Sequence, residues 1–193
     1  LYDETTPEYK HHLEHYGHPS EHGYKDFIPQ WKAENFDPEG LMQLYADAGA
    51  KYFCAQAVHH DNFDNWDSAH NNWNSVKVGP KKDIVGLWQA AAQKHGLPFG
   101  VSEHLGATFS WWSHNKGCDS SGPYAGVPYD GNDPAYEDFY LPNHDEPKLD
   151  RQGGNWYTQN PWWHQQWFDR IKDLIPFNPK EIAELKINFN EGS

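Results

Sequence analysis

The first clear rhythm of apolar and polar positions begins at residue 37. Asp37 stands where an N-cap belongs and Pro38 suits a first helical turn. Leu41, Leu44, Tyr45 and Ala48 then recur at helical spacing until Gly49, so the pattern predicts a helix over 38–48. The apolar run KYFCAQA, residues 51–57, has the length of a buried strand. A second cycle follows. Asp83 precedes IVGLWQAAAQKH, in which Ile84, Leu87, Trp88 and Ala91 mark one apolar face; Gly96 ends it, and LPFGV, residues 97–101, reads as a second strand. Helix, strand, helix, strand, joined by the short turns AGAKY and HGLPF, is the alternation that builds parallel sheets, so the two strands are expected as parallel neighbours.

The flanks are less regular. Residues 1–36 carry many His, Tyr, Glu and Pro residues without a sustained period and read as an irregular lead-in or short helices. Residues 103–160 are dense in Gly, Pro, Asp, Asn and Tyr and too long for an ordinary connection, which makes them a functional loop, a disordered stretch or a small insertion. Pro161 opens a helical stretch with Trp163, Trp167, Ile171 and Leu174 on one face. Past Ile175, Pro176 and Pro179, the segment EIAELKINF reads as helical again, so 161–193 is expected to be helical and the strand that the alternation demands there is missing from the pattern. The 193 residues thus read as one α/β domain with core βα units over 37–102. The opening LYDETTPEYK resembles neither a signal peptide nor a natural N-terminus, so the chain is expected to start within a longer protein.

Composition sharpens the functional reading. Aromatic residues make up 16% of the chain, Trp occurs ten times, and hydrophobic residues reach only 37%, a balance that favours rings placed for contact with a ligand having apolar faces and many hydroxyls. Any single Trp is still more often core than site. The net charge of -13 repels polyanions, which argues against nucleic acid and anionic membrane surfaces as partners; no apolar stretch reaches the roughly 18 residues of a membrane span. Cys54, in an apolar run, and Cys118, in a polar loop, form neither a disulfide framework nor a metal spacing.

The candidate chemistry clusters where strands end. In parallel α/β architectures the loops leaving the carboxyl ends of strands form the ligand face, and VHHDNFDNWDS, residues 58–68, leaves the first strand. His59 and His60 each offer one donor and one acceptor, a match for sugar hydroxyls. They also admit a structural role, whereas a metal site would want a third ligand and a spacing such as His-x-Glu-x-x-His, absent here. Asp61, Asp64, Asp67 and Glu103 are the nearby carboxylates, and Asp67 before Ser68 reads better as turn chemistry. Glu103 and His104 follow the second strand and divide evenly between substrate contact and structural pairing. Trp66, Trp73, Trp111 and Trp112 lie in loops on the same side, where an indole can stack on a pyranose or simply anchor its loop. No serine nucleophile elbow, P-loop or dinucleotide fingerprint is present, and no cofactor is called for.

The segments WKAENFDPEGLMQLYADAGAKYF, VHHDNFDNWDS and WNSVKVGPKKDIVGLWQAAAQKHGLPFGVS, spanning roughly 31–112, together resemble the α-L-fucosidases of glycoside hydrolase family 29; HYGHPSEHGYKDF and GPYAGVPYDGND resemble one branch of it. The resemblance implies a (β/α)8-type (TIM-like) barrel, only part of it present here, and a retaining exo-glycosidase that removes terminal α-L-fucose through an Asp nucleophile and a Glu acid/base. It implies that His59 and His60 bind the fucose hydroxyls, with Trp66, Glu103 and His104 as further substrate contacts, no metal and no cofactor. Many members carry a Tyr after the next strand, where this chain has Ser102, Glu103 and His104. Neither catalytic carboxylate is assigned to a residue of this sequence. The resemblance also implies a fucosylated glycan as partner and an exported or periplasmic protein. The alternatives are a non-catalytic sugar-binding remnant, or a hydrolase of another deoxysugar or of fucoidan on the same scaffold.

Overall fold

A computed structural model describes residues 1–142, 158 and 160–174, together with the backbone of 182–187. Its centre is a three-stranded parallel sheet in the order β1–β2–β3, with β1 Phe53–Val58, β2 Phe99–Glu103 and β3 Ile182–Ile187. Helix α1 spans Pro7–Tyr16, α2 Pro38–Asp47, α3 Ile84–Lys94, α4 Thr108–Trp111, α5 Glu137–Tyr140 and α6 Pro161–Leu174.

The two predicted helix starts are built as their sequences suggest. The Asp37 carboxylate accepts from the Gly40 amide at 3.0 Å, and the Asp83 carboxylate accepts from Gly86 at 2.8 Å. Gly49 and Gly96, at φ of 89° and 68°, turn the chain out of α2 and α3 in the left-handed region where glycine is favoured. Loss of the second cap is a direct test: Asp83→Ala should lower stability by about 1 kcal/mol in urea unfolding, and an unchanged midpoint would show that α3 is held by packing alone.

The face that α2 buries differs from the expected one. Met42 is the fully buried residue, while Leu44 is 60% exposed. Apolar residues at 41, 42, 44 and 45 satisfy two overlapping helical stripes, and packing against α3 and the sheet decides between them. In α3 the same choice buries Ile84, Val85, Ala91 and Ala92 and leaves Leu87 39% exposed.

β1 and β2 pair in parallel with Phe53 opposite Phe99 and Ala55 opposite Val101. Phe53 meets Tyr45 and Trp88 at ring-centroid distances of 5.7 and 4.7 Å, which places Phe53, Ala55, Phe99 and Val101 on the helix-covered side. A register shift between Gln56 and Val58 brings Val58 opposite Glu103. The two strands therefore end level with one another, and the residues that follow them leave side by side.

One expectation is corrected here. The segment read as helical, EIAELKINF, contains the strand Ile182–Ile187, which pairs in parallel with β2 and supplies the element thought missing; 161–193 is therefore not helical throughout. Its six-residue core mixes Ile and Leu with Glu and Lys, residues at home in a helix, and only pairing with β2 selects the extended form. Residues 1–36 contain a ten-residue helix, α1, with Thr6 accepting from the Tyr9 amide and Pro7 in the first turn. The lead-in is tied to the long loop by two buried carboxylates. Asp119 accepts from the hydroxyls of Tyr9 and Tyr129, and Asp130 accepts from Tyr2 and Tyr140 while pairing with Lys25 at 3.0 Å. Cys54 and Cys118 are both exposed thiols that take part in no disulfide.

Candidate functional site

Because β1 and β2 end in register, His59 and His60 emerge beside His104. The rings of His59 and His104 stack with centroids 4.7 Å apart, and His59 and His60 lie 4.2 Å apart. His60 Nδ1 is 2.8 Å from the backbone carbonyl oxygen of His104, 44 residues away. A carbonyl only accepts, so Nδ1 carries the proton and Nε2 is the acceptor nitrogen. His59 is exposed and the other two are half-buried, which leaves the group facing an approaching ligand. Trp111, 41% exposed at the end of α4, sets its ring 5.5 Å from that of His60. The site is a polar triad with one indole flank.

Burial holds the pKa of His60 below the ordinary imidazole value, with the neighbouring His59 and His104 acting in the same direction and the His104 carbonyl opposing them. His104 is lowered for the same first reason, then by His59. Both rings are thus neutral at neutral pH, each with one donor and one acceptor.

Two residues expected at the substrate lie elsewhere. Trp66 is 1% exposed, and its indole N–H donates to the Asp173 carboxylate at 3.0 Å, so the ring belongs to the core beneath the loop. Glu103 is 1% exposed, and its Oε2 accepts from the Leu105 amide at 2.9 Å and from the Trp167 indole at 3.1 Å. Burial raises its pKa and these two donors lower it. Glu103 shares the helix-covered side of β2 with Phe99 and Val101 because side chains alternate along a strand. It shapes the turn that carries His104. Trp112 is likewise 2% exposed in the core, and Trp73 packs on Phe139 with centroids 4.5 Å apart.

The remaining carboxylates of the His loop hold its shape. Asp61 accepts from the Tyr24 hydroxyl at 2.9 Å, linking the loop to the lead-in. Asp64 is fully buried against the Arg170 guanidinium, which also donates to the Asn62 side chain. Asp67 stays exposed. Sequence reading missed Arg170, although a lone Arg amid the tryptophans of α6 is a recognisable sign of a buried pair. A cavity of ≈ 340 Å³ lies next to this pair, lined by residues including Asn62, Asn71, Asp138, Trp162 and Arg170. His59, His60 and His104 do not line it, and its Arg170 and Asn62 groups are already engaged with one another.

The family model described as Alpha-L-fucosidase matches residues 1–182. The chain is 34% identical to the tissue alpha-L-fucosidase of Rattus norvegicus over 84% of its own length and 36% of the relative's. With the Homo sapiens tissue alpha-L-fucosidase it shares 30% identity over 92% of this chain and 39% of the relative. It therefore spans well under half the length of these relatives. Among solved structures, the Thermotoga maritima alpha-fucosidase in complex with a mechanism-based inhibitor superposes with a TM-score of 0.61 at 25% identity, covering 91% of this chain and 34% of that one. Another crystal structure of the Thermotoga maritima alpha-fucosidase gives 37% identity and a TM-score of 0.52 over 55% of this chain and 24% of that one.

Proposed function

The chain belongs to the α-L-fucosidase family, glycoside hydrolase family 29, and from that premise we propose that it supplies part of the fucose subsite of a retaining exo-glycosidase that hydrolyses terminal α-L-fucosyl linkages. The parallel β1–β2–β3 sheet with its flanking helices is then an arc of a (β/α)8 barrel, and the loops after β1 and β2 lie at its substrate face. The observation that carries the reading is the convergence of His59, His60 and His104 at two strand ends. Of the expected substrate contacts, these three are retained, Trp111 joins them, and Trp66 and Glu103 act from beneath as supports.

His60 and His104 are neutral rings, so no charge has to be desolvated at either of them for the sugar to bind. His60 is held to one tautomer by the His104 carbonyl, so Nε2 meets the sugar as an acceptor. The Trp111 indole offers an apolar face to the pyranose or to the 6-methyl group of fucose. The nucleophile and acid/base of the hydrolysis are assigned to no described residue, and a fucosylated glycan is the proposed substrate. Among the described residues no helix is long and apolar enough to cross a membrane.

This reading predicts a pH dependence. A base whose folded-state pKa is lowered takes up a proton less readily folded than unfolded. His60 and His104 therefore contribute fully to stability above the unfolded imidazole pKa of about 6.5, and that contribution is lost as pH falls. Protonation also removes the acceptor that the sugar uses. Sugar binding follows the folded-state pKa, so the affinity for L-fucose, followed by calorimetry as the pH is lowered from 8, should stay level through the ordinary imidazole value of about 6.5 and weaken only below it, where these two rings take up protons. An affinity that stays level while the NMR resonances of His60 and His104 report their protonation contradicts sugar binding through the acceptor nitrogens of these rings.

A further inference from the structure

The three imidazoles can do more than hydrogen-bond. One ring nitrogen from each of His59, His60 and His104 lies within 4.8 Å of the other two. Along the sequence the third ligand stands 44 positions from His60. The fold instead brings it from the next strand end. A tetrahedral zinc ion has metal–nitrogen bonds of about 2.0–2.1 Å, which sets its ligands roughly 3.4 Å apart. Contraction from 4.8 Å requires a shift of roughly an ångström, the size of a modest χ rotation at the exposed His59.

Support for such a site is already built. Metal-bound histidines characteristically donate their other ring N–H to a carbonyl or carboxylate, which fixes tautomer and orientation. His60 does this with the His104 carbonyl at 2.8 Å. Because that acceptor is main chain, it persists when the His104 side chain is changed. Beneath it, Glu103 holds the following turn through the Leu105 amide and the Trp167 indole.

We propose that His59, His60 and His104 form a binding site for a divalent transition metal with a preference for imidazole, with Zn2+ as the reference ion. On the fucose reading above, the ion and the sugar use the same nitrogens and exclude each other, so the metal acts as a competitive blocker of the subsite.

The test needs one precaution. His11 and His15 lie one turn apart on α1 with ring centroids 4.0 Å apart and could chelate an ion on their own, so every measurement uses a His11→Ala/His15→Ala background. Calorimetric titration of the 193-residue chain with Zn2+ should show one ion bound, and His59→Gln or His104→Gln should weaken it by at least about tenfold with unchanged circular dichroism. Equal affinity in both variants overturns the site. Should a variant unfold, the background protein still answers: Zn2+ should shift the NMR ring resonances of residues 59, 60 and 104 together, and shifts confined to other histidines overturn the proposal. Saturating L-fucose should then raise the Zn2+ dissociation constant. An unchanged constant, with fucose binding seen separately, refutes the exclusion; no fucose binding at all refutes the sugar reading while the glutamine variants decide the metal site independently.

Discussion

Replacing His60 by alanine is expected to weaken binding of L-fucose by about tenfold to a hundredfold while leaving the fold intact. The magnitude follows from what the ring does. In the proposed subsite it presents an acceptor in a fixed tautomer, and its loss would leave a sugar hydroxyl facing apolar space or an imperfectly placed water, at a cost of about 1–3 kcal/mol. The fold is spared because the ring is only half-buried and its hydrogen bond to the His104 carbonyl can pass to water. Calorimetry with L-fucose and urea unfolding of the same variant separate the two effects. Equal affinity in parent and variant would remove His60 from the sugar site, and a loss of stability matching the loss of affinity would make it a structural residue instead.

The opposite pattern is expected at Arg170. This side chain is 2% exposed and ties α6 to the His loop through Asp64 and Asn62. Arg170→Leu leaves a carboxylate buried without its partner, and stability should fall by about 3–5 kcal/mol. Burial already lifts the Asp64 pKa to about 6, with Arg170 as the largest influence pulling it down. Ionisation of an acid whose folded pKa is raised opposes folding above that pKa and ceases to do so as pH falls towards its unfolded value near 3.8. Without Arg170 the lift is greater, so the variant should regain part of its stability as the pH is lowered from neutral, against the trend set by the histidines. The double replacement Asp64→Leu/Arg170→Leu should recover much of the loss, since two apolar groups in place of a buried pair leave no uncompensated charge. A loss below about 1 kcal/mol for the single variant, the range of an exposed pair, would contradict this account.

These contrasts show what could be read from the chain before any coordinates. Helices α2 and α3 were legible because each announces itself twice, with an aspartate cap and a closing glycine around an apolar stripe. Helix α1 lacks such a stripe. Its inward residues are Tyr9 and His12, polar-tipped groups that a hydrophobic pattern passes over, and only Thr6–Pro7 marked its start. Strand β3 was misread because its residues favour neither state strongly and its partner lies some 80 positions earlier, between Phe99 and Glu103.

The candidate site was legible in the placement of its residues and less so in their orientation. Placing His59, His60 and His104 at the ends of parallel strands needed only the alternation of elements. Which way a neighbouring side chain points needed more. For Glu103 the parity of β2 held the answer, since it stands two residues beyond Val101 and four beyond Phe99, both facing the helices. Trp66 offered no such clue: it sits in an irregular loop, and its partner Asp173 comes from α6, 107 residues on. The register shift that levels the two strand ends is equally invisible in sequence, yet it sets His59 against His104.

The account rests on the imidazole triad being the place where the sugar sits, and a crystal structure of the chain with L-fucose tests this most directly. The prediction is a pyranose whose hydroxyls lie within hydrogen-bond distance of ring nitrogens of His59 and His60, with the Trp111 indole along its edge. A sugar found instead in the cavity beside Asn62, Asp138 and Arg170, with the three histidines untouched, would contradict it.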